Sequence, residues 1–543
     1  MNKRKGQVEK GREWLMYDII IKNGRVIDGS GNPWFKADIA IKDGVIEKIG
    51  MLSDEKATDL IDATGLVVSP GFIDIHCHSD ALLFVSPREQ GKILQGVTTE
   101  TIGNCGMSAV PTSPQHLDLL QKYVSSIFAG IELAWDWSGV GDFLDRVEQQ
   151  KSITNIASLV GHGTLRIAVM GFDNREPEEV ELAAMKQLLA DSIDQGAFGM
   201  SSGLIYPPGL FSKTPEMVEL CKVLAMKGGV YTTHMRGETD AVIDSVKETI
   251  LVGELSGVSV EISHHKTAGK ENWGKSRQTL QLIDEARSKG LDITCDVYPY
   301  IAASTMLGAL LPPWVHEGGV DKLLERLKLV DNRSQIKIEM VEGLSGWENY
   351  VKASGWENII IASCKYNKVN EGKSINEIAE ERNIDPADAV FDLMIEEDAE
   401  VLMVVFMMNE DDVSYILKHP AVMVASDAIP SSGKPHPRYF GTFPRVLSKY
   451  VRQDKVISIA EGIRKITSMP AQKLGLRDRG LLREKMCADI TIFNSDTIED
   501  KATFMDPKQY ATGIEYVIVN GKVAVRNGTY TGVLAGKILR KGR

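Results

Sequence analysis

Short runs of alternating apolar and polar residues open the chain: YDIIIKNGRVIDG from Tyr17, ADIAIKDGVIEKIG from Ala37 and DLIDATGLVVSPG from Asp59. A period of two marks half-buried strands. The Gly and Asp punctuation between them predicts hairpins in a small antiparallel sheet. From about residue 69 the rhythm changes. Buried-looking strand runs (VVSPGFIDIH, TTETIGN, NIASLVGHG, GAFGMSS, GGVYTTHMR, VSVEISHHK, LDITCDVYPY and AVMVASDA) now alternate with helical patterns such as EPEEVELAAMKQLLADSIDQG and SRQTLQLIDEARSKG. Eight strand–helix units predict a closed parallel barrel. The last stretch returns to short strands, ADITIFN and IEYVIVNGKVAVRNGTY.

The expected fold class is therefore α/β: a distorted (β/α)8 TIM barrel flanked by a small β-sandwich built from both chain ends. The boundaries read as a flexible extension at 1–16, sandwich halves at 17–68 and 481–543, and a barrel over 69–480. The stretch at about 301–420, between the seventh and eighth strands, is too long for a simple crossover and is expected to cap the barrel mouth.

Composition narrows the partners. The chain has 543 residues, 43% of them hydrophobic, and a net charge of −12. A barrel takes roughly 250 residues, so a second domain and an insertion fit. An acidic chain is a poor general binder of nucleic acid or of an anionic membrane. No apolar run approaches the roughly 20 residues needed to span a bilayer, and MNKRKGQVEKGREW lacks a secretion signal's apolar region. Six scattered cysteines suit a reducing cytoplasm better than a disulfide framework. The expected partner is a small molecule, in the cytoplasm, with a homo-oligomer left open.

The chemistry concentrates at strand ends. His76 and His78 flank Cys77 at the end of the first barrel strand, and residues two apart on a strand face one way. Both imidazoles then project at the C-terminal mouth, where barrel enzymes keep their active sites. Cys105 follows the second strand, His234 ends the fifth, His264 and His265 end the sixth, and Asp427 ends the eighth. Singly, each has an ordinary structural explanation: a core histidine, a small buried thiol, a helix cap. Together they supply the imidazole, thiolate and carboxylate donors of a catalytic Zn2+ site. Zinc brings bound water to a pKa of roughly 7 and so provides hydroxide at neutral pH. Asp427 is the candidate to accept the proton and return it to the leaving amine. Strand parity lets only one of His264 and His265 face inward.

The runs PGFIDIHCHSD, GVTTETIGNCG, VGHGTLR, GAFGMSSGLIYPPG, THMRGE, ISHHK, VYPY, SDAIP and PHPRYFGTFPRVL together resemble the D-aminoacylase family, N-acyl-D-amino-acid deacylases of the amidohydrolase superfamily. The resemblance runs from about Tyr17 to the C-terminal VNGKVAVRNGTYTG. Several members of the superfamily bridge two metals with a carboxylated lysine from the fourth strand. GAFGMSSGL has none, and Cys105 stands where this family carries a cysteine instead. The resemblance implies that Cys105, His234 and His264 hold one tight zinc. It implies a second, weaker site at His76, His78 and Asp427, with Cys105 able to bridge, and it favours His264 over His265. It further implies that Lys266, Tyr298 and Arg438 bind the substrate's α-carboxylate, with Tyr206 as a fourth contact. With no arginine between Tyr300 and Leu324, and Met306, Leu307, Leu310 and Leu311 there instead, the D-side chain is expected to be neutral or apolar.

Two other readings compete. One is a cyclic amidase of the dihydropyrimidinase or dihydroorotase type, against which the missing lysine, Cys105 and Arg438 all speak. The other is a non-catalytic scaffold on the same barrel, which the full set of candidate ligands disfavours. Of the remaining motifs, His162 in GHG is either a site residue or part of a turn. PPG at 207–209 and GHG lack phosphate-loop spacing. His316 and His436 are assigned to the cap surface, and Cys221, Cys295 and Cys364 to the core.

Overall fold

The computed structural model describes residues 16–86, 88–128 and 131–542. The extension expected at 1–16 lies outside these residues except for Met16, which already opens the first strand, Met16–Val26.

Eight parallel strands follow chain order around the central sheet. They are Phe72–Asp74, Val97–Ile102, Asn155–Gly161, Gly199–Gly203, Val230–His234, Ser259–Ile262, Ile293–Val297 and Val422–Val424. Just past the first and last of them, Cys77 bridges Ala428 in parallel, which nearly closes the barrel. Alternate strand residues serve two different cores. Ala157 and Leu159 join Ile75, Val230, Met423 and Ala425 in one cluster, while Ile156, Val160, Val260 and Ile293 pack with the surrounding helices. Burial on both faces explains why these strands read as continuous apolar runs. The crossovers obey ordinary helix signals: Thr214–Lys227 has proline in its first turn and ends at Gly228 with φ +64°, a left-handed cap that glycine adopts without strain. Among the described residues no helix is long and apolar enough to cross a membrane.

The run VVSPGFIDIH, expected as one barrel strand, is two. Val67–Pro70 belongs to the end sheet and Phe72–Asp74 to the barrel. Proline cannot donate a ladder bond, and a Cβ on Gly71 would fall 2.2 Å from the Thr98 side chain. The chain changes sheets at that pair. Both chain ends join in one nine-stranded sheet, meeting where Val67–Pro70 runs antiparallel to Ile490–Phe493. The sheet is mixed rather than antiparallel. Phe35–Lys42 and Val45–Gly50 form a true hairpin over Asp43 and Gly44, both at positive φ. Lys56–Asp62 and Val67–Pro70 lack a two-residue turn of that kind and instead lie parallel to Met16–Val26.

Between the seventh and eighth barrel strands the chain builds a three-stranded antiparallel sheet, with Leu402–Phe406 between Ala302–Met306 and Ile359–Ser363. Helices including Val320–Leu327, Val330–Glu342 and Pro386–Glu396 belong to the same insertion.

The end sheet and the barrel share an aromatic joint: the Phe72 ring lies 6.2 Å from that of Phe493 and 6.1 Å from that of Phe443, all fully buried. Truncating Phe493 to alanine removes that joint. We expect Phe493→Ala to cost about 3–5 kcal/mol in chemical denaturation. A loss below about 1 kcal/mol would mean the sheet adds nothing to barrel stability.

Candidate metal centre at the barrel mouth

Three strand ends turn through the left-handed region to reach this site. The first strand stays extended past Asp74: Cys77 N–H donates to Thr101 O at 3.2 Å and His78 N–H to Ala428 O at 3.0 Å. His76 and His78 thus share a side, and Cys77 Sγ faces Glu100 and Thr101 O instead. Cys105 (φ +54°), His264 (φ +37°) and Asp427 (φ +48°) are left-handed, unusual for residues other than glycine. The loop carrying Cys105 lies directly on the fourth strand, where a Cβ on Gly203 would meet Cys105 O at 2.1 Å. The sixth strand stops at Ile262, so a turn at His264, not strand parity, separates the paired histidines. His264 faces the mouth, while His265 Nε2 bonds Thr279 Oγ1 at 2.8 Å. Asp427 N–H donates to His76 O at 2.8 Å. The preceding Ser426 is anchored to Asp74 through both its N–H (2.9 Å) and its hydroxyl (2.5 Å).

All six predicted ligand side chains converge. Cys105 Sγ lies 3.3 Å from His76 Nε2, 3.5 Å from His264 Nε2 and 3.9 Å from His234 Nδ1. Asp427 Oδ1 lies 3.4 Å from His76 Nε2 and 3.3 Å from His78 Nε2. Donor atoms of His76, Cys105, His264 and Asp427 fall within 4.8 Å of one another, as do those of His234, Glu238 and His264, all buried. Lone pairs crowded this closely need protons or a cation between them. A thiolate, imidazoles and a carboxylate are the donor types that zinc takes, so the residues present fit such an ion.

Electrostatics put the Cys105 thiol and the Asp427 carboxyl in binding form and leave a proton on His264 for a metal to displace. Burial would raise the Cys105 thiol, but His76, His234 and His264 around it hold it well below the ordinary thiol value. Burial likewise opposes ionisation of Asp427, and the Arg438 guanidinium and neighbouring imidazoles override it. For His264, burial and Lys266 disfavour the cation, but Glu238, Asp427 and Cys105 outweigh them and bring it up to about 9.

The predicted substrate contacts surround the same point. Lys266 Nζ lies 2.6 Å from Glu238 Oε1 and 2.8 Å from His264 Nδ1. Arg438 Nη1 lies 2.8 Å from Asp427 Oδ2, and Nη2 donates to Ser304 O at 3.1 Å. Both cations face the Tyr298 ring, at 4.6 Å for Arg438 and 5.5 Å for Lys266. The Tyr206 hydroxyl is 2.7 Å from Thr305 Oγ1, and its ring packs edge-on to His234. Lys266, Tyr298 and Tyr206 line a cavity of about 20 Å3 with the metal-facing donors; fully buried Arg438 stands behind Asp427 and Tyr298. On the far side of Tyr206 an apolar cleft of about 60 Å3 is lined by Phe172, Ile205, Leu210, Met306 and Leu311.

Sequence reasoning missed three residues here. Glu238, buried, places Oε1 3.0 Å from His264 Nδ1 and Oε2 3.7 Å from His234 Nε2; its place four residues after His234 was the available signal. Thr305 and Tyr350 line the cavity from the cap, and nothing local in the chain marks them. The surface assignment of His436 is wrong: it is buried, bonds Ala302 O at 2.9 Å and packs on Tyr300. His316 is half-buried with Nε2 3.1 Å from Gly308 O. Both are tucked under the cap by its own fold, which a surface-loop reading could not anticipate. His162 begins a helix and is bound to Glu216 at 2.7 Å, away from the cavity.

The chain matches the model of the amidohydrolase family at residues 59–219 and 336–525. It is 36% identical over 529 residues to a D-aminoacylase of Alcaligenes xylosoxydans xylosoxydans, covering 97% of this chain and 98% of that one. The crystal structure of an N-acyl-D-glutamate deacylase from Bordetella bronchiseptica, complexed with zinc and a phosphonate mimic of the tetrahedral intermediate, aligns with a TM-score of 0.82 at 32% identity. That alignment covers 97% of this chain and all of the other. A D-aminoacylase structure addressing its binuclear metal centre aligns with a TM-score of 0.81 at 36% identity, with the same coverage.

One acid beside the centre sets a pH dependence. Glu348, buried, accepts the Glu238 N–H on both oxygens at 2.9 Å, and burial plus the Glu238 charge raise it to about 8. A carboxyl raised on folding contributes stability at low pH that is lost as the pH climbs through the folded value. Between pH 6 and pH 9 the native protein should therefore lose stability that Glu348→Gln does not lose. Urea midpoints for both proteins at the two pH values read the difference, and parallel falls would exclude Glu348 as the cause.

Proposed function

This chain belongs to the amidohydrolase family as an enzyme acting on linear amides, and we propose that it deacylates N-acyl-D-amino acids to a carboxylic acid and a free D-amino acid. The observation carrying this reading is one small cavity that unites the donor cluster on Cys105 with Lys266 and Tyr298. A cation placed by the donors and cations placed by the protein suit a substrate with both an amide carbonyl and a carboxylate.

We assign Cys105, His234 and His264 to a tight zinc site, and His76, His78 and Asp427 to a weaker one that Cys105 can bridge. Zinc bound there would supply a Lewis acid for the scissile carbonyl and make water a better nucleophile. Asp427, kept ionised by Arg438 at 2.8 Å, takes the proton from the attacking water and passes it to the amide nitrogen as the C–N bond breaks. Lys266 and Tyr298, which line the cavity, and Arg438 behind them hold the α-carboxylate, with Tyr206 as a fourth contact. Two substituents of Cα are then fixed, so one hand of the amino acid directs its side chain into open space. The cleft behind Tyr206 has no arginine among its lining residues, and its one lysine, Lys122, is already paired with Asp118 and Asp321, which favours apolar D-residues over acidic ones. D-Aminoacylase and N-acyl-D-glutamate deacylase relatives support the class of reaction.

A panel of N-acetyl-D-methionine, its L-enantiomer, N-acetyl-D-glutamate and hydantoin tests the substrate reading. We expect turnover of the D-methionine derivative to exceed the others by at least tenfold; turnover of hydantoin alone would refute it. Cys105→Ala is expected to lose the tightly bound zinc and activity together, measured by metal analysis and assay. Retention of both would overturn the ligand assignment.

A further inference from the structure

Below the mouth, the barrel interior on the side of strands five to seven is polar. Thr232, Glu261 and Thr294 are register partners on three neighbouring strands, so their side chains share a face. Asp296 stands two residues beyond Thr294 on that face, fully buried. The oxygens of Thr232, Glu261 and Thr294, Asp296 Oδ2, and His76 Nδ1 are buried with no hydrogen-bond partner among the described residues.

Asp296 bears on two metal-facing histidines at once. Its Oδ1 accepts the His264 N–H at 2.9 Å, and its backbone oxygen accepts the His265 N–H at 2.7 Å, which holds the left-handed turn at His264. Its Oδ2 faces His76 Nδ1 across 3.7 Å. His76 Nε2 already points at Cys105 Sγ and Asp427. An imidazole presenting Nε2 to a metal must carry its proton on Nδ1, the nitrogen facing Asp296. Carboxylates set behind ligating histidines fix ring orientation and tautomer.

Glu261 completes the arrangement. Its carboxyl is 1% exposed, both oxygens lack partners, and the nearby Lys473 is committed to Ser259 and Asp292. An ionised carboxylate without a partner at such a depth costs more than binding a proton. Burial and the Asp296 charge push the Glu261 carboxyl well up. Glu261 is therefore the carboxyl that carries a proton.

We propose that Asp296 is a positioning residue for the metal centre, orienting His76 and His264, and that the Glu261 carboxyl, on the same face beneath it, becomes its hydrogen-bond donor once it carries a proton. This rests on the metal reading above. The test is zinc titration of the apo-protein, with thermal unfolding of the same apo-protein as the control. Asp296→Asn should weaken zinc binding about 10- to 100-fold while the apo midpoint stays within a few degrees. Glu261→Gln, which keeps a neutral donor, should bind zinc within about threefold of the native chain, whereas Glu261→Leu should weaken it about tenfold. If the native chain binds no zinc, the metal reading itself fails. If the native chain binds and Asp296→Asn binds equally well, this inference alone is overturned. Should Asp296→Asn not fold, the two Glu261 variants decide: equal affinities in Gln and Leu overturn the donor role, and loss in Leu alone supports it.

Discussion

The site depends on one constraint: four other strand ends must deliver donor atoms to within 3.3–3.9 Å of the Cys105 sulfur or of the atoms it touches. A regular parallel strand cannot do this at every position, because its side chains alternate and leave the barrel at fixed heights. The chain solves the problem by leaving the strand early. At Cys105, His264 and Asp427 the backbone turns left-handed, at a cost of order 1–3 kcal/mol each for residues other than glycine. Each turn is over-determined by its neighbours. Gly203 leaves the space that the Cys105 loop fills, Asp296 takes the His264 N–H, and His76 O takes the Asp427 N–H.

The same geometry decides the charges. Cys105, Asp427 and Glu238 are anions in a buried site, and charges at this depth persist only when paired. Arg438 answers Asp427, Lys266 answers Glu238, and both cations stack on Tyr298. On the proposed reading, an arriving α-carboxylate meets cations already engaged by the groups that orient the metal and move the proton. Binding then shifts a shared network rather than filling an independent subsite. This links recognition of the carboxylate to the state of Asp427 and Glu238.

Much of this arrangement could be read from the chain, for identifiable reasons. The eight strands were visible because burial on both faces leaves runs such as VTTETI and VYTTH with no solvent-facing charge pattern of a helix. His76, His78, Cys105, His234, His264 and Asp427 were visible because a barrel puts every strand's C-terminal end at the same mouth. What failed depended on contacts between distant segments. Parity let only one of His264 and His265 face inward and did not say which; the turn at His264 separates them instead, since the strand had already ended. His436 looked like a surface residue because nothing near it in sequence reveals Tyr300 and Ala302 as its neighbours. Asp296 carries no local motif, and Glu238 only its place four residues after His234; their importance lies in which nitrogen of which histidine they face.

The division of labour between barrel and cap follows from where each residue is rooted. Every candidate ligand is rooted on a barrel strand end, and Cys105, His264 and Asp427 are held there by left-handed turns. The walls around the cavity come in part from the cap: Ser304 and Thr305, on the strand Ala302–Met306, engage Arg438 and Tyr206, and Tyr350 comes from a short cap helix. That strand is held by antiparallel pairing to Leu402–Phe406 within the insertion's own sheet. Side chains there can change without altering a ligand-bearing turn. In such a barrel the residues that carry the chemistry and those that shape the cavity's outer wall therefore hang on separate elements, so the wall can be altered without moving a ligand-bearing strand end.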